Sequence, residues 1–189
     1  MSRRNNGGSP LNKMKKIVII GPESTGKSTL CDQLAKHYNT EWVRECAREW
    51  LLTNGTAYKY DDLLSIAKCQ LEGEEGVVKN LSPDKEFVFI DTDMYVMKVW
   101  CEYVFNRCHH WILNNIVERK YDLYLLCNTD VPWVKDELRE YPDLETRKKL
   151  FAFYKQAMID QNVPWVEIGG DYGERFKQAV ERVNAFEKK

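Results

Sequence analysis

The sequence of 189 residues has no long apolar segment. No stretch approaches the roughly 20 apolar residues that a membrane-spanning helix needs, and residues 1–15 lack the apolar core of a signal peptide. We therefore expect a cytoplasmic protein that does not bind membranes. We predict that residues 1–15 form a disordered leader and that residues 16–189 form one domain, because this length suffices for one substantial core and is short for two.

Basic residues are outnumbered by acidic residues in the body of the chain. Five of the 28 Lys and Arg residues lie among residues 1–16, which contain no acidic residue, so the remaining 23 basic and 29 acidic residues leave a formal charge of −6. An acidic body argues against a broad surface for binding phosphate backbones, and nucleic acid is therefore not an expected partner.

The six cysteines include no C-x-x-C pair, and no secretory signal precedes them. Cysteines scattered in this way are typical of reduced thiols in a protein core rather than of a disulfide framework. We therefore expect all six to be reduced and most of them to be buried. They are Cys31, Cys46, Cys69, Cys101, Cys108 and Cys127.

The most informative stretch is a β-branched run, residues 17–20, that leads directly into the pattern G-x-x-x-x-G-K-S. This pattern predicts a buried strand, a phosphate-binding loop and a helix whose positive end faces the same anion. Lys27 would bridge the β and γ phosphates of ATP, and the Ser28 hydroxyl would be a Mg²⁺ ligand. The predicted nucleotide-binding residues in this stretch are Gly21, Glu23, Ser24, Thr25, Gly26, Lys27, Ser28 and Thr29.

Charged residues follow two further predicted strands. A short strand leads to Glu45 and Arg48, and the buried strand at residues 87–90 leads to Asp91 and Asp93. Ligands bind beyond the carboxyl ends of parallel strands, so these side chains are candidates for a functional site. Asp91 has the position of the magnesium-linked aspartate of phosphate-loop proteins, and we expect one of the two aspartates to cap the following helix.

Five predicted strands alternate with helical segments. This alternation predicts an α/β fold with a three-layer α/β/α sandwich around a five-stranded parallel sheet. Together with the phosphate-binding loop it resembles the P-loop NTPase fold, and the resemblance to nucleotide and nucleoside kinases implies the strand order 2-3-1-4-5. We interpret the charged segment around residues 136–150 as a lid on the ligand side of the sheet. The predicted strands span residues 17–20, 40–44, 87–90, 121–126 and 163–168.

Five motifs occur together in an order that resembles the ribosylnicotinamide kinase domain of bacterial NadR-type proteins. The resemblance covers nearly all of the chain after Lys16, and it implies ATP-dependent phosphorylation of nicotinamide riboside to nicotinamide mononucleotide with Mg²⁺. The sequence has neither the adenylyltransferase motif nor the helix-turn-helix segment of the multifunctional relatives, so we expect a lone kinase domain. The motifs are GPESTGKSTL at 21–30, RECAREW at 44–50, FIDTD at 89–93, DVPWVKDELR at 130–139 and GDYGERF at 170–176.

The resemblance also implies roles for individual side chains. Glu45 or Asp91 would accept the proton of the acceptor hydroxyl. The position of Glu45 after the second strand favours Glu45 for the proton and Asp91 for the metal. The remaining implied site residues are Arg48 and Asp93 near the ribose, Tyr60, Trp100 and Trp133 at the base, and Arg139 and Arg147 at the phosphates.

Two other functions stay open at the level of the sequence. The first is a phosphate-loop kinase of another nucleoside or metabolite, because Arg44 stands where an aromatic residue would be expected to hold a nicotinamide ring. The second is an ATP-binding regulatory module that transfers no phosphate. Such a module would be expected to have a large apolar surface or an additional domain for its partner, and the sequence indicates neither.

Overall fold

The computed structural model describes residues 14–135, 138 and 140–187. Residues 1–13 of the predicted leader lie outside the described residues, whereas the first strand already begins at Lys15, one residue before the predicted start of the domain. Lys15 belongs to the sheet because its N–H donates a 2.8 Å hydrogen bond to the carbonyl oxygen of Glu86, and its Cα is paired with that of Phe87.

Strands and helices alternate along the described chain. The strands are β1 (Lys15–Ile20), β2 (Trp42–Val43), β3 (Phe87–Asp91), β4 (Leu123–Cys127) and β5 (Trp165–Ile168). The helices are α1 (Lys27–His37), α2 (Cys46–Asn54), α3 (Tyr60–Asn80), α4 (Met94–Phe105), α5 (His110–Glu118), α6 (Leu144–Asp160) and α7 (Tyr172–Glu187). None of the helices within the described ranges is long and apolar enough to cross a bilayer.

The sheet is parallel throughout and has the order β2-β3-β1-β4-β5, which confirms the predicted strand order. The central strand β1 pairs with both β3 and β4, and all of its residues from 17 to 20 are fully buried. Such burial on both faces accounts for the unbroken apolar run in the sequence. Because the strands are parallel, their carboxyl ends and the loops after them meet at one edge of the sheet.

The side chains of β1 separate two layers of the core. Ile17 and Ile19 pack with α1 and α7 on one face of the sheet, whereas Val18 and Ile20 pack with α4 and α6 on the other. A third apolar cluster joins α2, α3, α4 and α5 beyond the second face. The predicted three-layer α/β/α arrangement is therefore the observed one, and α2 to α5 form an additional wall on one side of the ligand edge.

The second strand is shorter than predicted. Only Trp42 and Val43 pair with β3, although residues 40–44 were expected to do so. Thr40 contacts the neighbouring strand through its side chain instead, because its hydroxyl donates a 2.6 Å hydrogen bond to the carbonyl oxygen of Phe87. Arg44 follows the strand, and its guanidinium lies 5.2 Å from the ring centre of Trp42.

The prediction that all six cysteines are reduced is wrong for one pair, because Cys46 and Cys69 form a disulfide. The two residues are 23 positions apart in the sequence, and their Cα atoms lie 6.1 Å apart because α2 begins beside the middle of α3. Spacing along the chain does not reveal such a pair. The expected burial is correct for the thiols of Cys31, Cys101 and Cys127.

Candidate active site

The phosphate-binding loop lies between β1 and α1, and glycine is required at both of its ends. Gly21 has φ of 138°, and a Cβ atom there would lie 2.7 Å from the carbonyl oxygen of Cys127. Gly26 is the N-cap of α1 with φ of 79°, and a Cβ atom there would lie 3.0 Å from the ring of Tyr172. The loop therefore leads directly to the N-terminus of a helix, where the helix dipole favours a bound anion.

Two side chains of the loop contact its own main chain. The Lys27 ammonium donates a 3.1 Å hydrogen bond to the carbonyl oxygen of Pro22, and the Thr25 hydroxyl donates one of 2.8 Å to the same oxygen. Lys27 also lines the large cavity described below. Its ammonium is therefore held against the loop, at a position from which it can reach an anion in the cavity.

Ser28 and Asp91 form a polar pair beside the loop. Ser28 Oγ donates a 2.5 Å hydrogen bond to Asp91 Oδ2, while Asp91 Oδ1 is buried and has no hydrogen-bond partner among the described residues. The pKa of Asp91 is raised to about 7, mainly because the carboxyl is buried and to a smaller extent because Glu45 repels its negative charge. The nearby positive charge of Lys27 opposes this shift. Mg²⁺ prefers oxygen ligands, so an unpartnered carboxylate oxygen beside a hydroxyl fits this ion.

A cavity of about 270 Å³ extends from the phosphate-binding loop into the space between α2, α4 and α6. One end of the cavity is formed by the loop residues, and the other end combines charged, aromatic and aliphatic side chains. The cavity therefore connects a phosphate-binding element with a mixed polar and aromatic pocket. The lining residues at that second end include Glu45, Arg48, Val96, Trp100, Tyr103 and Tyr154.

Glu45 reaches the cavity from the N-cap position of α2. The Thr92 hydroxyl donates a long hydrogen bond of 3.4 Å to Glu45 Oε1, and Thr92 directly follows Asp91 at the end of β3. The structure thus brings together Glu45 and Asp91, the two carboxylates that the sequence assigned to proton transfer and metal binding. Their division of these roles stays a prediction.

Trp100 and Arg48 are the two predicted nucleoside-binding residues that line the cavity. Trp100 Nε1 donates a 2.8 Å hydrogen bond to the Tyr58 hydroxyl, which in turn donates one of 3.0 Å to Glu140 Oε2. Burial raises the pKa of Tyr58, so its hydroxyl remains protonated and can act as this donor. The indole of Trp100 is therefore held in a fixed orientation at the cavity wall.

Asp93, predicted near the ribose, is not among the cavity-lining residues. It caps α4, where its Oδ1 atom accepts a 2.9 Å hydrogen bond from the Tyr95 N–H, and its Oδ2 atom accepts one of 2.7 Å from the Tyr124 hydroxyl. This cap confirms that one of the two aspartates begins the helix. Because protein groups engage both carboxylate oxygens, the structure provides no direct support for the predicted ribose contact.

Tyr60, predicted to stack on the base, also lies away from the cavity lining. Its ring is stacked on that of His109 with a centroid distance of 3.8 Å, and the Arg107 guanidinium lies 3.8 Å from the centre of the Tyr60 ring. The ring of Tyr60 therefore packs against other side chains of the protein. Stacking of this residue on a ligand stays a prediction.

Glu23 joins the phosphate-binding loop to the segment that precedes α6. Its Oε1 atom accepts hydrogen bonds from the Tyr141 N–H at 2.7 Å and from Trp133 Nε1 at 3.4 Å, and its Oε2 atom accepts one from the Glu140 N–H at 3.0 Å. Trp133 was predicted at the base, and its contact with a ligand stays a prediction. Glu23 therefore couples the position of this segment to that of the loop.

Of the two arginines predicted at the phosphates, the structure describes only Arg147. Arg147 is 2% exposed, and its Nη2 atom donates hydrogen bonds to the carbonyl oxygens of Ser24 at 3.1 Å and Val131 at 3.4 Å. It therefore contacts the main chain of the loop. Arg139 lies outside the described residues, as does part of the predicted lid, and the last part of that lid is the beginning of α6.

Sequence reasoning missed two buried polar residues at this edge of the sheet, Gln70 and Arg175, each 2% exposed. Arg175 on α7 donates 2.9 Å hydrogen bonds to the carbonyl oxygens of Thr25 and Asn128, and it forms an ion pair with Asp130. In the sequence, the only indication of a buried role for Arg175 is its spacing in register with the apolar residues of α7. The position of Gln70 within the apolar face of α3 is a similarly weak indication.

Comparisons with known proteins agree with this geometry. A model of the AAA domain family matches residues 16–175. The chain is 30% identical over 175 residues to the trifunctional NAD biosynthesis/regulator protein NadR of Escherichia coli strain K12, and the alignment covers 90% of this chain and 42% of that protein. The chain thus spans less than half the length of this relative.

Two solved structures of NadR protein resemble the fold. One is in complex with NR and superposes with a TM-score of 0.77 at 22% identity, covering 92% of this chain and 49% of the other. The second is in complex with NAD and AMP-PNP and has a TM-score of 0.69 at 22% identity, with the same coverage of 92% and 49%. These structures confirm the predicted P-loop kinase fold, and the 30% identity to the Escherichia coli protein confirms the resemblance to NadR-type proteins. The family model covers most of the length of this chain, and the chain therefore belongs to the AAA domain family.

Proposed function

We propose that this chain is an ATP-dependent kinase that phosphorylates nicotinamide riboside to nicotinamide mononucleotide. The main observation behind this proposal is the single cavity that has the phosphate-binding loop at one end and Glu45, Arg48 and Trp100 at the other. In such a cavity the terminal phosphate of a nucleotide and the hydroxyl of a second ligand can lie side by side. The similarity to a NAD biosynthesis protein, and to a NadR structure in complex with NR, supports this choice of acceptor.

ATP is the proposed phosphate donor. The loop at residues 21–26 and the Lys27 ammonium would contact its phosphates, and the NadR complex with AMP-PNP supports such a nucleotide. The Ser28 hydroxyl and the Asp91 carboxylate would hold Mg²⁺, which neutralises phosphate charge when it is bound. The unpartnered Asp91 Oδ1 atom is the observation that favours a metal at this place.

Glu45 is the proposed general base. Its carboxylate would accept the proton of the nucleoside hydroxyl while the hydroxyl oxygen bonds to the γ-phosphorus and the bond between that phosphorus and the bridging oxygen of ADP breaks. Asp91 is less suited to this step because Ser28 already donates to one of its oxygens. The Thr92 hydroxyl donates to Glu45 Oε1 and would orient the carboxylate toward the acceptor.

An acceptor panel tests the proposed function. ADP release is measured with ATP and Mg²⁺ in the presence of nicotinamide riboside, of other nucleosides, or of no acceptor, and the phosphorylated product is identified by chromatography. We expect nicotinamide riboside to give the highest rate. Faster turnover with another nucleoside would show that this nucleoside, and not nicotinamide riboside, is the preferred acceptor. Equal turnover with and without any acceptor would contradict a kinase activity.

A further inference from the structure

Gln70 connects the two elements that hold the candidate catalytic carboxylates. It lies in the middle of α3 and is 2% exposed. Its Oε1 atom accepts a 2.8 Å hydrogen bond from the Cys46 N–H, while its Nε2 atom donates to the carbonyl oxygens of Asp91 at 3.1 Å and Thr92 at 3.0 Å. One buried amide therefore bridges the start of α2 and the end of β3.

The groups that Gln70 contacts are difficult to hold in other ways. The Cys46 N–H is the first of α2 and has no partner within the helix, as is usual at a helix N-terminus. Thr92 has φ of 75°, a left-handed conformation that is unusual and strained for a β-branched residue. A strained residue persists only where its surroundings hold it, and Gln70 supplies one of these contacts.

Glu45 precedes Cys46, and Asp91 precedes Thr92, so both carboxylates are attached to the main chain that Gln70 binds. We propose that Gln70 is a positioning residue that sets the location of the Glu45 carboxylate relative to Asp91 for phosphoryl transfer. This inference rests on the proposed function, in which Glu45 accepts the proton and Asp91 holds the metal. A misplacement of about 1 Å at a reacting group can reduce a rate on the order of 100-fold.

The variant Gln70→Met tests this inference because it keeps the size of the side chain and removes all three hydrogen bonds. We expect kcat to fall by about 10- to 100-fold while KM for ATP changes less than about threefold. The control is Glu74→Gln, one turn further along α3 and also 2% exposed, whose carboxylate contacts Lys16 and Tyr121 away from the site. It is expected to lower stability and to leave kcat unchanged within about threefold.

A double-mutant cycle separates positioning from a general loss of structure. If Gln70 acts through Glu45, the combination of Gln70→Met with Glu45→Gln should be about as slow as Glu45→Gln alone. Fully multiplicative losses, or an unchanged kcat in a folded Gln70→Met protein, would overturn the proposal. The assays contain a thiol reductant, because the Cys46–Cys69 disulfide joins the same helices and would mask the effect.

Hydrogen exchange gives a measurement that needs no activity. The Cys46 amide should be protected in the wild type and in Glu74→Gln, and exposed to exchange in Gln70→Met. Rapid exchange of this amide in the wild type would overturn the positioning contact itself, whereas a wild type that phosphorylates no acceptor would overturn the proposed function alone. If Gln70→Met does not fold, Gln70→Glu replaces it in the kinetic comparison, where the same loss of kcat is expected because this variant loses the donor to Asp91 and Thr92. Its Cys46 amide should stay protected, because Glu keeps the acceptor for that N–H.

Discussion

The guanidinium of Arg175 donates a 2.9 Å hydrogen bond to the carbonyl oxygen of Thr25, within the phosphate-binding loop and 150 residues earlier in the chain. The same side chain donates to the carbonyl oxygens of Asn128 and Gly170 and pairs with Asp130. One buried cation on α7 therefore holds the loop after β1 and the loops after β4 and β5 together. The phosphate-binding loop is supported from behind by the last helix.

Replacing this cation should destabilise the fold. Arg175→Leu leaves the carbonyl oxygens of Thr25, Asn128 and Gly170 without this donor, so the free energy of unfolding should fall by about 1–3 kcal/mol. Urea unfolding followed by circular dichroism measures this change. The exposed Lys177 on the same helix provides the control, because Lys177→Ala should change the free energy by less than about 0.5 kcal/mol. Equal stabilities of the two variants would contradict a supporting role for Arg175.

Lys27→Ala should stop phosphoryl transfer in a protein that remains folded. The Lys27 ammonium donates to the Pro22 carbonyl oxygen, and a hydrogen bond with a charged donor contributes about 1.5–3 kcal/mol, which a folded domain can lose. Loss of its charge at the phosphates should reduce kcat by a factor on the order of 10²–10³ or more. ADP release and thermal unfolding are measured together, with the exposed Lys36→Ala on the same helix as the control. An unchanged rate in folded Lys27→Ala would exclude the proposed phosphate contact.

Glu45→Gln and Asp91→Asn should fail in different ways. A general base contributes about 10²–10⁴ in rate, so Glu45→Gln should lose activity on that order while it still binds ATP and Mg²⁺. Asp91→Asn should instead weaken the response to Mg²⁺, and higher concentrations of the metal should restore part of the rate. Steady-state kinetics over a range of Mg²⁺ concentrations distinguish the two. Near-normal turnover of Glu45→Gln, with Asp91→Asn inactive at every concentration, would exchange the two roles.

The raised pKa of Asp91 has a consequence for stability. Because burial and Glu45 raise this pKa to about 7, the folded chain binds the proton more tightly than the unfolded chain, whose carboxyl has a pKa of about 4. The contribution of this group to stability is therefore complete below about pH 4 and is lost as the pH rises through about 7. In the absence of Mg²⁺, Asp91→Asn should become more stable relative to the wild type as the pH increases from 5 to 8.

Urea unfolding in the presence of a chelator at several pH values measures this difference. The half-exposed Asp32, which pairs with Lys36 on the surface of α1, provides the control. Asp32→Asn should differ from the wild type by a nearly constant amount over the same pH range, because a surface pair of this kind contributes little. A constant difference for Asp91→Asn as well would show that Asp91 does not titrate in this range.

Local patterns in the sequence were sufficient for the phosphate-binding loop and for the approximate positions of the strands, whereas the strand order was expected from the order found in nucleotide and nucleoside kinases. The glycine spacing and the β-branched run depend on neighbouring residues, so residues 17–28 could be assigned without knowledge of the rest of the chain. A helix cap by one of the two aspartates, Asp91 or Asp93, was likewise expected, because capping is a local interaction between a side chain and the next helical turn. In each case the residues that interact are close together in the sequence.

The tertiary structure alone decided which distant side chains meet. Three contacts depend on how the helices cross between parallel strands. They are the hydrogen bonds of Gln70 to the start of α2 and the end of β3, the contact of Arg175 with the phosphate-binding loop, and the disulfide between Cys46 and Cys69. The stacking of Tyr60 at the start of α3 on His109 before α5 likewise joins distant parts of the chain, and the expected contact of Tyr60 with a ligand stays a prediction. Residue spacing encodes periodicity and turns, whereas contacts across a parallel sheet arise only after the chain has crossed from one strand to the next.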